Sequence, residues 1–352
     1  MKRVYNKSVV AGNVLELTSF QKGVSINEKK DDENVSDGGE LEVIDDNNCD
    51  VDSDKKNSKK RIVNISIFER LMRDLENYQR SIRRTKQLLV RSINANFGKW
   101  STNMKDNKFM TLTFRGEVTD YDYANKEFKQ FIERLNYFAF KQKKKILKYT
   151  AVIEHHHEND ENNGIHYHVI FYNLPFVEHA DLLKIWRGKR GTGGLNIKVI
   201  DHVDNVGAYV TKYVEKEIKD SKKFADSLYD EMLMIDKFSE DKKEAALKSL
   251  LTQFAKFEAN KGKKVFQQSQ KLLKAETDYL NDEEIDAIVY EMKNRNDVIE
   301  VADTVFDNEF TGETKYRQFK MKKGSRKTID DVMKDVMSKI VNDEIEENLS
   351  KT

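Results

Sequence analysis

The sequence predicts an α+β protein in which helices flank an antiparallel sheet, with a disordered acidic N-terminus before it and a helical extension after it. Three observations lead there. Apolar stretches of strand length at 109–114, 149–154, 165–172 and 195–199 alternate with stretches of helical spacing. The segment between the second and third strands is polar and glycine-ended, as a hairpin loop is, which makes those strands antiparallel neighbours. One proline, 15 glycines and a single cysteine, Cys49, exclude collagen-like chains, disulfide scaffolds and cysteine-cluster metal sites.

Taken in order, the chain divides at residues 58, 106 and 219. Its 62 Lys and Arg against 61 Asp and Glu give a net charge of +1, but the charges are segregated. An acidic, polar run from 28 to 54 has too few large apolar groups to offset the entropy of ordering, so 1–58 reads as mostly disordered. Residues 59–106 form a basic region with helical spacing at Ile67, Leu71, Leu75, Leu88 and Leu89. An acidic tail beside a basic body fits a polyanion partner for which the tail competes. In 107–219, Met110, Leu112 and Phe114 alternate with Thr111 and Thr113, as in a half-buried strand. Phe128, Phe131, Ile132, Leu135 and Phe138 then recur at helical spacing, 182–186 reads as a further helix, and a basic glycine loop at 188–194 leads into the strand of Leu195, Ile197 and Val199. A helix over about 204–219 closes this α+β unit. Only helical patterns are evident from 220 to 352, and no apolar run spans a membrane, so a cytoplasmic protein without a membrane partner is expected.

The third strand carries His166 and His168, two residues apart and therefore on one face. Glu154 ends the neighbouring strand after an apolar run, and correct hairpin pairing brings its carboxylate within reach of both imidazoles. Two imidazoles and a carboxylate suit a divalent cation such as Mn²⁺, Mg²⁺ or Zn²⁺. His155, His156 and His157 are alternative third ligands, and they also fit an ordinary polar hairpin. On the closing helix, Val203, Val206, Val210, Val214 and Ile218 form an apolar stripe for the sheet. Tyr209 and Tyr213 lie one turn apart on its shoulder, with Lys212 and Lys216 just beyond, so each tyrosine heads a Tyr-x-x-Lys unit.

Together these residues resemble the replication-initiator endonucleases of the HUH superfamily, which start rolling-circle replication. The strand of Thr111 to Phe114 is similar to their first motif, His166 and His168 to the metal-binding second, and Tyr209 to Tyr213 to the third, in the two-tyrosine form of single-stranded DNA phages and related plasmids. The resemblance covers about 107–219, with a weaker echo in the basic segment 263–269 and a longer loop than usual between Glu154 and His166. It implies a ferredoxin-like core, a Mn²⁺ or Mg²⁺ ion held by His166, His168 and Glu154, and tyrosine attack on origin DNA by Tyr209 and Tyr213 with Lys212 stabilising charge. It further implies DNA contacts at Thr111, Thr113, Lys189, Arg190, Lys198 and Lys216. The expected partners are single-stranded or hairpin-extruded origin DNA, a DNA polymerase to extend the freed 3′-OH, and a host helicase, since no Walker signature occurs.

A relaxase or transposase of the same superfamily would run nearly the same reaction. A DNA-binding repressor would bind without metal dependence and cleave nothing. A non-haem iron oxygenase normally has its second histidine far downstream, where only His179 and His202 stand.

Overall fold

The computed structural model describes residues 2–26, 67–141, 145–156, 164–188, 193–200, 206–210 and most of 264–350, with single positions between 212 and 252. The expected α+β class is what the chain adopts, but it is built on two five-stranded antiparallel sheets rather than one.

The strands of the central sheet are β3 (Lys108–Phe114), β4 (Tyr149–His156), β5 (Gly164–Phe171), β6 (Gly193–Val199) and β7 (Phe266–Gln268). Their order across the sheet is β6-β3-β5-β4-β7. The expected hairpin is present: β4 pairs with β5 in antiparallel register from Tyr149 opposite Phe171 to His156 opposite Gly164. One face carries Met110, Leu112, Ala151, Ile153, Tyr167, Val169 and Phe171, packed under α2 (Tyr121–Phe140) and α3 (His179–Arg187). Asp120 starts α2 by accepting from the backbone N–H groups of Asp122 and Tyr123. Ala124, Phe128, Phe131 and Leu135 then fall on the buried stripe that their spacing predicts. Each fully buried side chain of this size contributes about 1.5–3 kcal/mol, so this face carries much of the unit's stability.

The opposite face of the central sheet is covered at one end only. There α1 (Ile67–Asn96) lays Ile82, Leu89 and Ile93 on Phe109, Val152, Ile170, Val206 and Val210. Residues 206–210 are helical, as expected, and Val206 and Val210 of the predicted stripe are buried; Val203, Val214 and Ile218 lie outside the described residues.

The second sheet joins the two ends of the chain. It is made of β1 (Lys2–Ala11), β2 (Val14–Ile26), β8 (Glu276–Leu280), β9 (Val298–Asn308) and β10 (Gly312–Met321), in the order β8-β1-β2-β10-β9. This corrects two expectations. Residues 2–26 are not disordered but supply two strands, and the region after 219 is not only helical. The acidic run at 28–54 itself lies outside the described residues. One face of this terminal sheet packs Leu15, Leu17 and Phe319 against α4 (Asp282–Asn294) and α5 (Ile329–Ser350). A capping box of Asn281 and Glu284 starts α4.

The other face meets α1, where Arg91 donates from Nη2 to Glu16 at 2.7 Å. Burial and the Arg91 guanidinium lower the pKa of Lys7 beside this pair, and Glu16 partly offsets them. Helix α1 therefore touches both sheets. No helix among the described residues is long and apolar enough to cross a membrane.

Candidate active site

Strand register decides which side chains share the half-covered face of the central sheet. Thr113 stands opposite His166, Thr111 opposite His168, and Phe109 opposite Ile170. On the far side of β5, Glu154 stands opposite His166 and Val152 opposite His168. On β6, Lys198 stands opposite Phe109. Because side chains alternate, Thr111, Thr113, His166, His168, Glu154 and Lys198 all project from one surface. The strand that carries the histidines is the middle one of five, which explains why His168 is buried.

His168 is fixed from both ring nitrogens. Nε2 lies 2.7 Å from Glu154 Oε2 and Nδ1 lies 3.2 Å from Thr111 Oγ1. An ionised carboxylate only accepts, so Nε2 is the donor in the first contact. Both side chains are nearly enclosed, at 6% and 10% exposure, where a lone carboxylate would be costly. His166 is half-buried one register step away, beside Thr113 and Glu154. Among the described residues no three His, Cys, Asp or Glu side chains converge to hold a metal ion; Glu154 and His168 converge as a pair. His155 and His156 end β4, and His157 lies outside the described residues.

Tyr209 is joined to this pair through one ring. Phe109 stacks on the His168 imidazole with centroids 5.8 Å apart and meets the Tyr209 ring edge-on at 5.5 Å. Lys198 donates from Nζ to the Tyr209 hydroxyl at 2.6 Å, and Lys212 Nζ sits 4.5 Å from the Tyr209 ring centroid. The hydrogen bond from Lys198 is the largest cause that holds the Tyr209 hydroxyl below the usual tyrosine range; burial opposes it, and the charges of Lys198 and Lys212 reinforce it. Thr113 Oγ1 accepts from the backbone N–H of Gly194 at 3.1 Å, tying the end of β3 to the glycine loop. Tyr213, Lys189, Arg190 and Lys216 lie outside the described residues.

Helix α1 places the tyrosine-bearing helix, a role that sequence reasoning missed. Asn94 Oδ1 accepts from the backbone N–H of Gly207 at 3.2 Å, and two turns along Lys86 pairs with Glu215. The spacing of eight residues on each side means that the two helices run antiparallel in contact. Gly207 is required by this approach: a Cβ there would lie 2.8 Å from both the Val90 carbonyl oxygen and Asn94 Oδ1. At the far side of α1, a Cβ on Gly12, whose φ is +60°, would fall 2.2 Å from the Asn94 carbonyl oxygen. The turn of the N-terminal hairpin thus presses on the same turn of α1 that holds the tyrosine helix. No sequence signal marks Asn94. The opposite parity of Lys198 to Ile197 and Val199 does mark it as a residue of the polar face.

The basic segment at 263–269 contributes β7, and Gln268 Nε2 donates to Ser92 of α1 at 2.6 Å and to Thr150 at 3.1 Å. That strand ties α1 to the sheet edge.

With this geometry in place, comparison with known proteins is informative. No curated protein and no solved structure was found to match the chain. Residues 107–218 match a family model of replication-associated proteins, the ORF2 type. The match covers about a third of the chain, coincides with the unit that carries β3 to β6 and Tyr209, and supports a replication initiator.

Proposed function

We propose that this protein nicks single-stranded or hairpin-extruded origin DNA by transesterification onto Tyr209, leaving a 5′-phosphotyrosine and a free 3′-OH for a polymerase. The observation that carries the reading is the Phe109 ring, which has the Glu154–His168 pair against it on one side and the lysine-flanked Tyr209 on the other. In the step itself a Tyr209 Oη–phosphorus bond forms as the phosphorus–O3′ bond breaks. The phenol proton passes to water, and the departing 3′ oxygen takes one up.

The donor set fits a divalent cation. Metal–ligand bonds of about 2.1 Å at a right angle set donor atoms about 3 Å apart, close to the 2.7 Å between His168 Nε2 and Glu154 Oε2. His168 Nε2 and Glu154 would hold such an ion, Mn²⁺ or Mg²⁺, with His166 or one of His155 to His157 as third donor. Thr111 Oγ1 would then accept from His168 Nδ1–H and fix the tautomer. When bound, the cation supplies polarisation of the phosphoryl oxygens and orientation of the scissile bond. Lys212 offsets charge near the phosphate, and Thr111, Thr113 and Lys198 line the face that the strand would cross. Lys189, Arg190 and Lys216 add a salt-dependent grip.

The test is incubation of the full chain with Mn²⁺ and labelled single-stranded origin DNA, followed by denaturing electrophoresis. A covalent adduct that requires the cation is expected, and is lost when Tyr209 and Tyr213 are both replaced by Phe. An adduct that persists in the double variant would contradict the reading.

A further inference from the structure

We propose that Lys198 is a catalytic residue rather than only a DNA contact: its ammonium holds the Tyr209 hydroxyl and carries the phenolate through the attack on phosphorus. This rests on the nicking reading above and deepens it.

The argument is geometric. Lys198 comes from β6, a different element from the tyrosine, and its Nζ lies 2.6 Å from the hydroxyl oxygen. Its position is set from below by Phe109, whose ring centroid is 5.4 Å from Nζ, and from the side by the Tyr209 ring at 4.8 Å. The lysine thus has two aromatic faces against it and one strong acceptor, the oxygen that must become the nucleophile. Lys212, one turn along the helix, approaches the ring and not the oxygen. The two lysines therefore divide the work: Lys198 acts on the reacting atom and Lys212 on the ring and on whatever anion lies above it.

A tyrosine with an ordinary pKa of about 10 is almost wholly protonated at neutral pH, so any group that favours the phenolate raises the reactive fraction directly. The groups that face Tyr209 are few. Lys198 reaches it from β6 and Lys212 from its own helix, while Phe109 stands between it and the His168–Glu154 pair of β5 and β4. The Lys86–Glu215 pair of α1 and the tyrosine helix is internally neutral. The cations nearest the hydroxyl are thus the two lysines. In the reaction Lys198 stays an ammonium throughout: the phenol gives its proton to water, Lys198 donates to the resulting phenolate, and it remains hydrogen-bonded to the bridging oxygen as the new ester bond forms.

The test compares wild type with Lys198→Met, which keeps the aliphatic stem, and Lys198→Arg, which keeps a charged donor. Adduct formation is followed as a function of pH at saturating single-stranded DNA. In parallel, tyrosine ring-carbon resonances are titrated in the DNA-free protein, with Tyr209 assigned by Tyr209→Phe. Lys198→Met is expected to move the rising limb of the pH profile up by about one unit, which is about a tenfold loss at neutral pH, with the same shift in the Tyr209 titration. Lys198→Arg is expected to restore most of the rate. If Lys198 only grips phosphate, Lys198→Met weakens DNA binding with a reduced salt slope, and leaves both the saturated rate and the Tyr209 titration where they were; that result overturns the proposal and leaves the nicking reading intact. Absence of any tyrosine adduct with the wild-type protein overturns both.

Discussion

The two ring nitrogens of His168 face different partners, and that decides what each substitution does. Glu154→Gln removes the charge that Nε2–H donates to and is expected to weaken Mn²⁺ binding by at least about tenfold, as read by calorimetric titration. Unchanged affinity would move the carboxylate's proposed place to His155, His156 or His157. His168→Ala is expected to abolish nicking and to leave binding to single-stranded DNA largely intact, as read by fluorescence anisotropy. Tyr213→Phe is expected still to nick but to release closed circles poorly. At this scale the sequence was a good guide, for a physical reason. Strand alternation is strict, so the shared face of Thr111, Thr113, His166, His168 and Glu154 follows from parity and one hairpin. What parity could not supply is a contact between elements that are not strand neighbours, such as Phe109 on Tyr209 or Lys198 on its hydroxyl.

Among the elements, α1 does most to define the site and is the one that sequence boundaries set outside it. Its grip on the tyrosine helix predicts that Gly207→Ala, by forcing a Cβ against Val90 and Asn94, separates the two helices. The expected cost is about 1–3 kcal/mol in urea unfolding, with a larger proportional loss of adduct than of stability. The pair of Lys86 and Glu215 is tested by charge reversal. Lys86→Glu is expected to reduce adduct formation, and the double exchange with Glu215→Lys to recover it. Recovery would be absent if the pair were an idle surface contact. The strands missed by sequence reading fall into two groups. Leu15 and Leu17 alternate with Glu16 and Thr18, but Val14 and Glu16 are buried too, because α1 covers the second face, so β2 shows no clean period. In β9 the β-branched run of Val298, Ile299, Val301, Thr304 and Val305 was a usable signal, and it went unread because most of that strand is exposed and its neighbours read as helical.

Over the whole molecule, the terminal sheet joins residues some 300 positions apart: β2 pairs with β10 and β1 with β8. No local pattern encodes such pairing, which is why the N-terminus read as disordered. Two deletions separate what that reading combined. Removing residues 1–26 takes two central strands from the sheet and is expected to unfold the terminal unit, seen as loss of cooperative melting by circular dichroism. Removing 27–58 alone is expected to preserve folding and to raise affinity for single-stranded DNA at low salt, the gain fading as salt screens the acidic run. Arg91→Met would leave Glu16 without its guanidinium partner between α1 and that sheet, at an expected cost of about 2–3 kcal/mol; urea denaturation checks it. The central claim, that this unit cuts DNA with a tyrosine held by β6 and α1, is tested most directly by protease digestion and mass mapping of the DNA-linked peptide. The account predicts the nucleotide on Tyr209. Label on neither Tyr209 nor Tyr213 would contradict it.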